Sequence, residues 1–107
     1  MTASPLARNM SEKQLLAAIR EYAQLRKWLC YHTHDSRRSE PGFPDLVLAR
    51  DRLIVAELKS EKGRLTEEQR AWITTLENIA KHSPGNMEVF VWKPRDWVSG
   101  HIETVLK

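Results

Sequence analysis

The spacing of apolar residues along the chain alternates between a helical and a strand period, and each change marks an element. Residues 1–10 (MTASPLARNM) carry no period and are expected to form a flexible N-terminal arm, followed by a single domain over residues 11–107. Ser11-Glu12-Lys13-Gln14 has the form of a capping box, in which the Ser and Gln side chains satisfy each other's free backbone amides. Behind it Leu15, Leu16, Ile19, Tyr22 and Ala23 recur at helical spacing, which predicts an amphipathic helix through about Lys27. Residues 28–33 (WLCYHT) are aromatic and β-favouring and read as a strand. Residues 34–43 (HDSRRSEPGF), with Pro41 and Gly42, read as a loop.

Asp45–Ala49 and Leu53–Lys59 are short runs apolar on both faces, so they read as central strands joined as a hairpin through Arg50-Asp51-Arg52. Thr66-Glu67-Glu68-Gln69 is a second capping box and opens a helix with Trp72, Ile73, Leu76, Ile79 and Ala80 facing inward. Ser83-Pro84-Gly85-Asn86 ends it. Residues 88–93 (EVFVWK) read as a fourth strand, and Pro94 starts a last helix through Leu106. The series predicts an α/β domain with a central mixed sheet flanked by helices. The four tryptophans, Trp28, Trp72, Trp92 and Trp97, fall mostly at core positions, and Cys30 reads as a small buried hydrophobe.

Ionisable residues interrupt this pattern where a buried charge is expensive. Asp45 opens the second strand, and Glu57 and Lys59 close the third. Glu57 and Lys59 project from one face and Leu58 from the other. Whether Asp45 joins them depends on register. A two-residue turn at Arg50-Asp51 pairs Asp45 with Ala56 and turns it away, whereas a three-residue loop sets it across from Glu57. On the helices, Glu12 falls near the middle of the stripe of Leu15, Leu16, Ile19 and Tyr22, and Gln69 lies in line with Trp72, Ile73 and Leu76. Each also has a plainer reading: Gln69 as the capping-box amide, and Glu12 as an acid at a positive helix N-terminus.

Composition narrows the chemistry. With 107 residues, 41% hydrophobic and 29% charged, the chain has room for one globular core. No apolar run is long enough to span a bilayer, and the N-terminal stretch lacks the pattern of a cleaved secretory signal. The single cysteine excludes an intramolecular disulfide and a paired-cysteine zinc site, and fits a cytoplasmic, reducing location. Seventeen Lys and Arg against 14 Asp and Glu leave a net charge of +3. Arg37, Arg38, Lys59, Lys62 and Arg64 cluster around the ionisable strand ends, a rim suited to a polyphosphate backbone.

Two carboxylates and a lysine at adjacent strand ends suit metal-assisted phosphodiester hydrolysis. Asp45, Glu57 and the backbone carbonyl of Leu58 would offer hard oxygens to Mg²⁺ or Mn²⁺, which acidifies a water and offsets charge on the phosphate. Lys59 would orient that water, take its proton or stabilise the phosphate. His32, His34 and Asp35 have the chemistry of a metal site or a nucleophile-base pair, but a loop histidine beside a DNA channel is more simply a phosphate contact.

These residues match a known pattern. Pro44-Asp45 followed by Glu57-Leu58-Lys59 resembles the PD-(D/E)xK nuclease signature. The longer series Pro41-Gly42-Phe43-Pro44-Asp45-Leu46, Glu57-Leu58-Lys59, Gly63-Arg64-Leu65-Thr66 and Gln69 resembles the VRR-NUC branch of that superfamily, over about residues 11–93. The resemblance implies a restriction-endonuclease-like αβββαβ core and dependence on Mg²⁺ or Mn²⁺. It implies Asp45 and Glu57 as metal ligands, Lys59 as catalytic, Gln69 as the motif glutamine, and Glu12 as the helix-one acid, itself a possible ligand. His34, Ser36, Arg37, Arg38, Lys62 and Arg64 are the expected DNA contacts. Stand-alone members resemble Holliday-junction resolvases and act as homodimers, so a branched duplex is the expected substrate, with no membrane and no small-molecule cofactor involved. The rivals are a flap- or end-directed repair nuclease and a non-catalytic nucleic-acid-binding module on the same fold.

Overall fold

A computed structural model of the chain describes residues 4–33 and 40–107. The elements are α1 (Pro5–Asn9), α2 (Glu12–Leu25), β1 (Leu29–His32), β2 (Leu46–Ala49), β3 (Leu53–Leu58), α3 (Glu67–Lys81), β4 (Met87–Trp92), α4 (Pro94–Val98) and α5 (His101–Leu106). One mixed sheet holds the strands in the order β1-β2-β3-β4: the first three are antiparallel neighbours and β4 joins β3 in parallel. A parallel neighbour requires a crossover, and α3 supplies it. The α/β class with a four-stranded mixed sheet flanked by helices is the one the sequence pattern predicts, compatible with a restriction-endonuclease-like core.

Leu46, Leu48, Ile54, Ala56, Leu58 and Trp92 alternate onto one side of the sheet and pack with Leu15, Ile19 and Ala23 of α2 and with Ile102 and Leu106 of α5. Beyond its first residue β3 is buried throughout, as a strand with a neighbour on each edge and layers on both faces should be. Trp28 and Trp92 are core residues, while Trp72 and Trp97 are only half-buried. Cys30 is likewise half-buried against the core.

The hairpin between β2 and β3 is pinned from outside. Asp51 bridges Arg50 at 2.6 Å and Arg52 at 3.0 Å, and both guanidinium groups lie over the Trp28 ring, 4.3 and 5.2 Å from its centre. Arg50 donates to the carbonyls of Arg26 (2.9 Å) and Lys107 (3.0 Å), and Arg52 to that of Val105 (2.7 Å) and to the Glu88 carboxylate. The loop therefore caps the C-terminal ends of α2 and α5, where carbonyls lack helical partners.

Several elements differ from the sequence pattern. Pro5–Asn9, within the stretch expected to be an arm, form α1, with the Ser4 hydroxyl accepting from Ala7 N–H at 3.2 Å and Ala7 buried. Five residues are too few to display a period; the cap and packing on α4 stabilise the helix instead. The last helix is two, because Gly100 adopts a left-handed conformation (φ 84°) that a right-handed helix cannot continue. Ile79, expected inward, is 51% exposed, since α3 rests on the β4 side of the sheet and buries little beyond Ile73.

Helix α2 stops at Leu25 rather than near Lys27. Lys27 is left-handed (φ 71°), and the amides of Trp28 and Lys27 bond the carbonyls of Ala23 (2.9 Å) and Gln24 (3.1 Å), the two bonds of a Schellman cap. A Cβ is disfavoured there. Lys27→Gly is expected to stabilise the fold by about 0.5–1 kcal/mol, seen as a higher urea midpoint at unchanged slope. An unchanged or lower midpoint would show that the position is not strained.

Candidate active site

Asp45 lies one residue before β2, and the hairpin register decides what it meets. Leu46 pairs with Ala56 and Ala49 with Leu53, leaving Arg50-Asp51-Arg52 as a three-residue loop. Continued by one step, that register sets Asp45 across from Glu57, as convergence of the two acids requires. The ladder on the other side also reaches Asp45, whose carbonyl accepts from Thr33 N–H at 3.0 Å. Its side-chain Oδ2 accepts from Leu58 N–H at 2.8 Å. Because the N–H and C=O of one strand residue leave on the same side, the Leu58 carbonyl faces the Asp45 edge too.

The segment before Asp45 is a mount. Gly42 has φ 87°, and a Cβ there would sit 2.5–2.7 Å from the backbone and Cβ of Glu68. Only glycine lets this loop lie against the first turn of α3. Phe43 packs edge-on against Trp72 with ring centres 5.2 Å apart, Pro44 is buried, and Thr33 Oγ1 donates to the Pro44 carbonyl at 3.1 Å. The Pro-Gly-Phe-Pro run is thus clamped between α3 and β1, which fixes where Asp45 leaves it.

Glu57 is only 1% exposed, with Oε2 3.8 Å from Lys59 Nζ. Its other oxygen, Oε1, is buried and finds no hydrogen-bond partner. Burial, then a hydrogen bond with the Asp45 carboxyl and its negative charge, outweigh Lys59 and push the Glu57 pKa up to about 9. Glu12, the first residue of α2, reaches the same end of the sheet from the opposite face. Its carboxyl is raised by burial and by Asp45, against the pull of Lys59. Glu12, Lys13, Leu16, His32, Asp45 and Leu58 line an open depression of about 200 Å³. A larger groove of about 660 Å³ runs along α2 beside Tyr22 and Trp97, but none of the strand-borne groups lines it.

A buried acid facing a second, half-buried one resists ionisation unless positive charge lies between or beside them. Among the described residues no three His, Cys, Asp or Glu side chains gather closely enough to hold a metal ion by themselves. What the site offers is a pair of carboxylates, a strand carbonyl and Glu12 at its margin. Mg²⁺ accepts such a partial set of hard oxygens, keeping waters for the rest. The buried, unpartnered Glu57 Oε1 is the observation that fits: an acceptor withheld from solvent and given no donor.

The structure thus brings Asp45, Glu57, Lys59 and Glu12 together. Gln69 closes the capping box of α3: its Oε1 accepts from Thr66 N–H at 2.9 Å while its backbone N–H donates to Thr66 Oγ1 at 3.1 Å. Lys62 and Arg64 are exposed on the segment after β3. That segment is held by Glu61, whose carboxylate accepts from Arg95 Nε at 2.6 Å and backbone N–H at 3.2 Å. His34, Ser36, Arg37 and Arg38 lie outside the described residues, as does Asp35. Lys13 and Leu16 also line the depression, although the sequence pattern marks them only as a capping-box residue and a core-stripe residue; Leu16, four residues after Glu12, lies on its side of the helix. His32 ends β1, within the strand that the sequence pattern predicts over residues 28–33.

The family model described as the VRR-NUC domain matches residues 6–95. No curated protein and no solved structure matches the chain.

Gly42→Ala should destabilise the protein by about 1–3 kcal/mol through positive φ and the Glu68 contact together, read from chemical denaturation. A wild-type midpoint would disprove the close approach. Titration of Glu57 gives a second outcome. The folded chain keeps the Glu57 proton to about pH 9, against 4.5 for an ordinary glutamate, so the native state holds the extra proton in between. In chelator, stability is expected to fall as pH rises from about 4.5 to about 9, and Glu57→Gln should flatten that decline. Equal slopes for the two proteins in thermal melts would assign the dependence to another group.

Proposed function

The chain belongs to the VRR-NUC family, a nuclease-type family, and from that premise we propose that it is a divalent-metal-dependent DNA endonuclease hydrolysing phosphodiester bonds. The observation that carries this reading is the meeting of Asp45, Glu57 and Lys59 at adjacent strand ends, with a Glu57 oxygen buried and unpartnered. Asp45, Glu57 and the Leu58 carbonyl would hold Mg²⁺ or Mn²⁺, with Glu12 at the margin. When bound, such a cation supplies Lewis acidity and offsets negative charge on a phosphodiester.

The chain's own groups do the rest. The Leu58 amide holds one Asp45 oxygen, so that carboxylate is aimed before any substrate arrives. Glu57 would have to give up its proton to solvent to hold a cation, which would couple metal affinity to pH. Lys59, 14% exposed and anchored beside Glu57, presents N–H donors to the scissile phosphate and stabilises the charge that builds there. Gln69 acts one step removed: by capping α3 it firms the helix start on which the Gly42 loop rests. Lys62, Arg64 and the loop residues His34, Ser36, Arg37 and Arg38 contact the DNA backbone, which positions the duplex without reading its sequence.

A domain of 107 residues offers little surface to enclose a duplex. Two copies presenting two sites would nick a branched duplex such as a four-way junction symmetrically. Supercoiled plasmid and a panel of junction, flap, duplex and single-stranded substrates test the reading. Wild type with Mg²⁺ or Mn²⁺ should nick, chelator should abolish nicking, and Lys59→Ala should slow it by about 10²–10⁴-fold. Nicking that survives both chelator and Lys59→Ala would remove the proposed chemistry, and preference for flaps or ends would replace the junction substrate.

A further inference from the structure

Three cations on the α1 and α2 side of the molecule have no role in the chemistry proposed for the carboxylates. Lys13 borders the depression formed with Glu12 and Asp45. Arg20 stands seven residues further along α2, which returns it to the same flank about 10.5 Å away. It lies beside β1, where the Cys30 thiol is pushed up by burial and pulled down by the Arg20 charge. Arg20 Nε is itself buried without a hydrogen-bond partner. Among the described residues, carboxylates pair with Arg50, Arg52, Lys59 and Arg95, but not with Lys13 or Arg20. At the segment after β3, Arg8 of α1 shares a depression of about 190 Å³ with Ser60, Glu61 and Lys62. Glu61 does not neutralise that group, because Arg95 occupies both of its oxygens.

An anionic chain laid over Glu12 and Asp45 meets repulsion unless cations hold it on either side. We infer that Arg20, Lys13 and Arg8 form a phosphate track, so that one DNA strand passes Arg20 and Lys13, crosses the carboxylate pair at its scissile bond, and continues over Lys62 and Arg8. The inference rests on the nuclease reading and adds to it the path of the substrate. With one phosphate per about 3.4 Å of axis on each strand, the Lys13–Arg20 spacing spans about three nucleotides. Contacts of this kind grip the backbone and do not select bases.

The test is fluorescence anisotropy with a labelled 20-base-pair duplex in chelator, which prevents cleavage, over about 50–200 mM salt. Lys13→Gln with Arg20→Gln should bind roughly tenfold more weakly, with a log–log salt slope shallower by about 2. Arg8→Gln should flatten the slope by about 1. Lys13→Arg with Arg20→Lys keeps the charges and should restore binding. Lys81→Gln, at the far end of α3, should bind as wild type does. Thermal melts identify any variant that fails to fold, and the charge-retaining pair then carries the comparison against wild type. Wild-type affinity and slope in the Gln variants, with wild type still nicking plasmid, would overturn the track and leave the nuclease reading standing. A wild-type protein that neither binds DNA nor nicks it would overturn both.

Discussion

The site depends on a three-residue loop. Strand side chains alternate with a period of two, so a hairpin shortened by one residue would turn Asp45 to the far side of the sheet from Glu57. The loop is held from outside by Arg50 and Arg52, which reach the Trp28 ring and the carbonyl ends of α2 and α5. Those guanidinium groups satisfy helix ends that would otherwise lack partners, and in doing so they lock a register that matters at the opposite end of the strands. Fold stability and acid placement are set by the same contacts.

At the other end of the hairpin, stability and placement pull apart. Leu58 and Trp92 bury apolar surface, yet the neighbouring Glu57 buries a carboxyl whose Oε1 has no partner and faces a second acid. A core position would tolerate an apolar residue better. At this end of the strands the proton held by Glu57 supplies the neutralisation that the proposed cation would supply in its place. Lys59 alone, 3.8 Å from one oxygen, does not supply it.

The mount of Asp45 extends the constraint to α3. Thr66 and Gln69 close the helix cap, the first turn presents the Glu68 backbone, and Gly42 lies against it with no room for a Cβ. Residues separated in sequence by a strand hairpin thereby act as one bracket. It explains in physical terms why a Pro-Gly-Phe-Pro-Asp run and a Thr-x-x-Gln cap occur in one chain.

Much of this was legible in the residues. Local rules set the two capping boxes, the strand runs and the helical stripes, because each depends on neighbours a few positions apart. The acids and the lysine were legible as exceptions to that pattern, and the two alternative registers could be enumerated. Choosing between them required the tertiary structure, since the arginine anchors that pin the loop come together with Trp28 and the C-terminal helix only on folding. The same limit hid α1, too short to show a period, and the break at Gly100. It also hid two neighbourhoods set by packing: Lys13 beside Glu12 and Asp45, and Arg8 beside Ser60, Glu61 and Lys62. The sequence determined which groups interrupt the apolar pattern; the folded chain decided which of them meet, because long-range contacts set register and no local spacing encodes them.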